Sequence, residues 1–203
     1  MLFRSQIVVP TYDVISVVDQ EIDAILENLG RLYWNMNELT SAAECYDSLI
    51  QLYPNWVKPH KARGMIHYRL DNHQKAIDDL RFATEVDDSD YMSYYYLGMS
   101  YLEIDQTDRA SWYFRKSITA AERFPHDLVA MEVRADCFFE LEDYDDSIKG
   151  YKEILKVMPK NKFILNKLAD AHECSGENKK AKKFYERACK IQEQENRNNG
   201  GMT

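Results

Sequence analysis

Helix breakers are scarce in this chain, whose 203 residues contain seven glycines and five prolines. So few suit long helices joined by short turns and leave little for a turn-dense fold. Basic charge is also short: 26 Lys and Arg face 34 Asp and Glu, a formal net charge of −8. An acidic chain is poorly suited to phosphate backbones, so nucleic acid is not expected as its main partner. Long apolar runs are missing too. Ile7-Val8-Val9 ends at Pro10 and is followed by Asp13 and Asp19, too short for a secretory leader or a bilayer span. A cytoplasmic protein without membrane insertion is expected. Cys45, Cys137, Cys174 and Cys189 show no CxxC spacing and fall in predicted helices, which suggests reduced, buried small hydrophobes rather than zinc ligands.

Motifs for chemistry are equally thin. There is no nucleophile motif, no Gly-rich phosphate loop and no pair of carboxylates set for acid–base work, so neither enzyme activity nor a cofactor is expected. His60 and His67 fall on a buried stripe and His73 in a turn, which favours core histidines over a metal site. The acidic stretches 87–90 and 142–146 lack the central Gly and bidentate Glu of a calcium loop and coincide with turns, where Asp and Ser cap helices.

What the chain does have is a period. A small residue recurs at Gly30, Gly64, Gly98, Ala135 and Ala169, and three positions later come Tyr33, His67, Tyr101, Phe138 and His172. Ala42, Ala76, Ala110, Ser147 and Ala181 follow, then Tyr46, Leu80, Phe114, Tyr151 and Tyr185. The step is 34 residues except between Gly98 and Ala135, where it is 37. A period of this size means stacked supersecondary units rather than one globular core. Within 91–124, Tyr94, Leu97, Gly98 and Tyr101 make one helical stripe, residues 105–108 break it, and Ala110, Phe114, Ser117 and Ile118 make a second. Each unit therefore reads as two antiparallel helices, the small residues letting the backbones approach. The extra residues of the long step fall around Pro125, which predicts a longer second helix in the third unit, ending near Arg123.

The order small, aromatic, small, aromatic, then proline in the 34-residue unit resembles the tetratricopeptide repeat; Leu29, Gly30, Tyr33, Ala42, Tyr46 and Pro54 carry it in the first unit. The resemblance implies an all-α, right-handed α-solenoid of tandem helix-turn-helix repeats. Its five units would be 23–56, 57–90, 91–124, 128–161 and 162–195, with residues 1–22 a helical extension or cap and 196–203 a disordered tail. Ile15, Val18, Ile22, Ile25 and Leu29 carry an apolar spacing into the first unit. It suits a cap or, alternatively, a dimer seam through residues 11–29; two heptads alone rarely hold a dimer, so a monomer is expected.

The resemblance further implies that the first helices line a concave groove that binds a peptide or helix of a partner protein. Carried over by position, that groove holds Arg31 and Trp34, then Lys58, Lys61, Met65 and Tyr68, then Met92, Tyr95, Tyr96 and Met99. Glu132, Val133, Asp136, Phe139 and Asp170 complete it. Of Tyr94, Tyr95 and Tyr96, Tyr94 is assigned to the core, since three consecutive residues cannot share one face. The groove reads as basic at one end, aromatic and Met-rich in the middle and acidic at the other. A clamp for acidic chaperone tails does not fit, because only Lys61 matches its pattern. The expected function is an interaction scaffold or adaptor. A chaperone for a secreted or aggregation-prone client and an RNA-binding helical-repeat protein are the alternatives.

Overall fold

The computed structural model describes residues 11–200 of the chain, with side chains over 22–197. Ten helices account for its regular structure: α1 (Thr11–Asn35), α2 (Leu39–Leu52), α3 (Val57–Arg69), α4 (His73–Val86) and α5 (Tyr91–Glu103) come first. After them come α6 (Thr107–Ala121), α7 (Leu128–Glu140), α8 (Tyr144–Val157), α9 (Lys162–Cys174) and α10 (Asn178–Gly200). Among the described residues there is no strand, and no helix is long and apolar enough to cross a membrane. Each helix packs on the next in chain order, so the molecule is a helical solenoid of five hairpins. In addition α3 touches α5, and α5 touches α7, whereas no comparably close contact joins α4 to α6 or α6 to α8 among the described residues. In the middle of the stack the first helices thus stand closer to one another than the second helices do, which makes theirs the inner row.

One turn is used five times. Asn37, Asp71, Asp105, Glu142 and Gly176 all have φ between 58° and 81°, the left-handed region. In the first hairpin the Asn37 N–H donates to the Trp34 carbonyl and the Glu38 N–H to that of Tyr33. The same pair joins Asp105 to Leu102 and Gln106 to Tyr101, and Gly176 to Glu173 and Glu177 to His172. This is the Schellman arrangement, which satisfies the carbonyls a helix leaves open at its C-terminus. The residue that closes it also starts the next helix: the carbonyls of Glu38, Asn72, Gln106, Asp143 and Glu177 accept from Ala42, Ala76, Ala110, Ser147 and Ala181. The periodic aromatic or histidine is therefore the last anchor of one helix, and the periodic small residue donates its N–H to the residue that closes the turn.

Between the two helices of a hairpin, the small residue lies against a ring or a leucine. A Cβ added at Gly98 would stand 2.5 Å from Phe114 Cε1, and one at Gly64 2.7 Å from Leu80 Cγ. In the fourth hairpin the roles reverse, with Gly150 against the methyl of Ala135 at 2.8 Å. The core then runs between hairpins. Leu80, Tyr94, Leu97, Phe114 and Cys137 form its central part, Leu49 and Ile66 lie towards the N-terminal end, and Ile154, Leu165 and Leu168 towards the other.

The structure corrects three expectations. Helix α6 ends at Ala121, not near Arg123; at 15 residues it is one longer than α4 or α8. The connection 122–127 absorbs the rest, because Pro125 bars helix from continuing. Second, 196–200 are helical rather than disordered, since α10 runs to Gly200 with Gln192 bonded to Asn196 and Arg197 paired with Glu193 one turn apart; residues 201–203 lie outside the described residues. Third, only Cys45 and Cys137 are buried, while Cys174, at the end of α9, and Cys189, on the free flank of α10, are exposed thiols.

At the other end, α1 is described from Thr11 and runs as one continuous helix into the first hairpin. The Ile15 and Val18 side chains lie outside the described residues, and Ile22 and Ile25 are 41% and 62% exposed.

Two substitutions check this account of the hairpin by urea unfolding. Gly98→Ala is expected to lose about 1–3 kcal/mol through overpacking against Phe114. Glu142→Gly is expected to gain about 0.5–1 kcal/mol, because it relieves a left-handed position held by a residue with a Cβ.

Candidate peptide-binding groove

Helix α5 sets the character of the inner face. Met92, Tyr95, Tyr96 and Met99 follow i, i+3, i+4, i+7 spacing, so they share one side of the helix. All four are half-buried and pack onto the central core cluster with Met65 and Tyr68 of α3. Tyr94 points the other way and is buried, as its assignment to the core requires. Tyr68 of α3 meets Tyr96 of α5 edge to face at 5.3 Å between centroids, and Tyr96 meets its neighbour Tyr95 on the same helix edge to face at 5.4 Å. Burial pushes the hydroxyl of Tyr95 well above the usual phenol range, raises that of Tyr96 and pushes that of Tyr68 up to about 12. These are neutral, amphipathic contact surfaces at any physiological pH.

Towards α1 the groove residues are Arg31, exposed and bonded to Asn28, and Trp34, half-buried under the Arg69 guanidinium at 5.0 Å. The expected basic end is largely neutralised there. Lys58 pairs with Glu27 on the preceding first helix, and Lys61 reaches Asp90, the N-cap of α5, at 2.7 Å. Both are pairs between neighbouring hairpins, at sequence separations of 31 and 29 residues.

Towards the C-terminal end α7 and α9 face each other. Lys167 donates to Glu132 at 2.8 Å and to Asp136 at 2.6 Å, and its ammonium lies 4.4 Å from the Phe163 ring centroid. Tyr151 donates to Asp136 at 2.6 Å, and Tyr185 donates to Asp170. A pocket of about 180 Å³ opens between Tyr95, Phe139 and Tyr151 on the one hand and Asp136, Glu140, Lys167 and Asp170 on the other. Burial raises the Glu140 carboxyl above its usual range, with Asp136 and Glu103 adding to the effect and Lys167 opposing it. Asp136 shifts the same way for the same first reason, despite its lysine.

Val133 does not belong to this face. It is 5% exposed and sits in the central core cluster, onto which Tyr95 and Tyr96 also pack. A short side chain in a row whose neighbours are tyrosines ends up beneath them. Glu140 and Tyr151 are the residues missing from the sequence reading. Glu140 could have been found, one helical turn after Asp136; Tyr151 could not, because it reaches the groove from a second helix.

The histidines serve the structure. His60 contacts Asp79 through Nδ1 at 3.0 Å and the Pro54 carbonyl through Nε2 at 2.9 Å. Arg63 grips the buried Asp79 with two nitrogens at 2.8 and 2.6 Å and Asp47 with a third at 2.6 Å, tying α2, α3 and α4 together. His67 is half-buried, burial lowers its affinity for a proton, and its Nδ1 has no partner. Among the described residues no group of three or more His, Cys, Asp or Glu is arranged to hold a metal ion.

Known proteins place this architecture. The profile of the tetratricopeptide repeat matches residues 24–55 and 164–195, which are parts of the first and last hairpins. The hairpins between them repeat the same turn and the same helix order. The chain therefore carries tetratricopeptide repeats at both ends of a solenoid built throughout from the same hairpin. A thermophilic TPR protein of Thermus thermophilus has the same fold, with a TM-score of 0.68 at 14% identity over 83% of this chain and 91% of that one. Two sequence relatives are anaphase-promoting complex subunit 3 of Schizosaccharomyces pombe, 26% identical over 141 residues, and the protein CTR9 homolog of Arabidopsis thaliana, 26% identical over 130. The matched regions are 70% and 63% of this chain but only 21% and 12% of those proteins.

Two measurements test the electrostatics of the TPR stack. Asp79→Ala leaves the Arg63 guanidinium with Asp47 alone and His60 Nδ1 without its partner, and is expected to cost about 3 kcal/mol of unfolding free energy. Glu140→Gln is expected to stabilise the protein at pH 7. The sign follows from linkage: a carboxyl whose folded affinity for protons exceeds its unfolded one weakens the fold as pH rises above the unfolded value, about 4.3 for Glu. The advantage of the glutamine should therefore vanish below about pH 4, where both forms are protonated. Thermal unfolding of both proteins across that range reads it.

Proposed function

We propose that this chain is a protein-interaction scaffold whose inner row of first helices holds an extended or helical segment of another protein. The observation that carries the reading is the half-buried tyrosine and methionine face of α3 and α5. Its rings pack on a solid core from below and remain open to a ligand from above. Aromatic rings lose little entropy when they are covered, and Met adapts to varied ligand shapes. Central, rigid aromatic groups surrounded by polar ones are also where interface energy concentrates. The relatives named above support an adaptor role, since one of them is by name a subunit of a larger complex.

Affinity capture from native lysate, with the wild type beside a Tyr95→Ala/Tyr96→Ala variant of confirmed helicity, tests the reading. At least one protein held by the wild type should be lost from the variant. Identical captured sets would overturn the groove.

A further inference from the structure

The pocket at the C-terminal end of the groove has an unbalanced lining. Asp136, Glu140 and Asp170 bring three carboxylates to it, and Lys167 brings one ammonium. That lysine is committed to Asp136 and to Glu132 outside the pocket. Glu140 takes part in no hydrogen bond or ion pair with any described residue, although it is half-buried. A carboxylate withdrawn from water without a partner, as Glu140 is, is unfavourable, and a ligand cation would relieve it, with the exposed Asp170 beside it as a second acceptor. The other walls are the rings of Tyr95, Phe139 and Tyr151. Rings attract cations through their faces, and a planar guanidinium stacks on them as well. The chain already shows the same chemistry beside the pocket, where the Lys167 ammonium lies over Phe163 and between two carboxylates.

We propose that this pocket takes one cationic side chain, arginine or lysine, from the segment bound in the groove. The inference rests on the groove reading and specifies the partner: a segment with apolar residues over α3 and α5 and a basic residue over α7 and α9. Glu140 is the principal acceptor, Asp170 the second, and Tyr95 and Phe139 flank the cation's stem. Lys58 and Lys61 at the opposite end are held by Glu27 and Asp90, so neither lysine selects an acidic residue with comparable strength.

The test begins with selection of a random-peptide library on the full-length chain. Fluorescence anisotropy then compares the consensus peptide with versions whose basic residue is exchanged between Arg and Lys or replaced by norleucine. The consensus should contain Arg or Lys next to apolar positions. On the wild type, norleucine should weaken binding about tenfold, the scale of one charge-assisted contact. On Glu140→Gln/Asp170→Asn the same replacement should change affinity by less than about twofold if the carboxylates are the acceptors. Asn can still accept from Tyr185, and the single Glu140→Gln variant serves if the double one loses helicity. Peptides without a basic residue, or an equal norleucine effect on both proteins, would overturn the cation pocket while leaving the groove standing, provided that binding falls in Tyr95→Ala/Tyr96→Ala. No selected peptide, or peptides that bind that tyrosine variant unchanged, would remove the groove and the pocket together.

Discussion

Close approach of the two helices inside each hairpin is the constraint on which everything else depends. Gly98 faces Phe114 with no room for even a methyl group, and Gly64 faces Leu80 in the same way. A separation that tight fixes the angle of the pair, and the left-handed turn fixes its register, because the residue that closes one helix also caps the next. Three-residue turns tolerate no slack. Five copies of one rigid hairpin then stack with a repeated offset, and side chains at equivalent positions fall into a continuous row. The tyrosine and methionine face exists only because Met65, Tyr68, Met92, Tyr95, Tyr96 and Met99 are brought into one row by that repetition.

Much of this was legible in the sequence because a repeat reports the same physics several times over. The period revealed the hairpins, the small and aromatic positions revealed the contact between their helices, and the run at 94–96 could be divided between core and groove by helical geometry alone. What stayed hidden depended on neighbours from other hairpins. Val133 has the right position for the groove but too short a side chain to rise past the tyrosines packed on its cluster. The 37-residue step was visible, but whether its surplus lengthened a helix or a connection depended on where Pro125 let the helix stop. The left-handed position was masked by its occupants, which are Asn, Asp, Asp and Glu before the single Gly176.

Charge was the least legible property, for a reason specific to solenoids. Composition gives a net charge and position gives a gradient, yet neither says which charges are already paired. Lys58 with Glu27, Lys61 with Asp90 and Lys167 with Asp136 are separated by 31, 29 and 31 residues, a little less than one period. A side chain on one first helix reaches across to the neighbouring hairpin, landing about a turn away from its equivalent position. Pairs at that spacing are the solenoid counterpart of i,i+4 pairs in a single helix, and they help to set one hairpin on the next.

That pairing also determines what a ligand would feel. Most cations on the inner face are engaged by neighbouring hairpins, so the charge left over there is negative and concentrated near Glu140. A half-buried carboxylate without a partner, such as Glu140, weakens the fold at neutral pH, and a cation brought by a ligand would relieve it. Electrostatics of this kind governs orientation and rate of approach more than final affinity. The aromatic face would then supply the grip and the carboxylates the direction, with the bound segment laid along the row in one polarity rather than two.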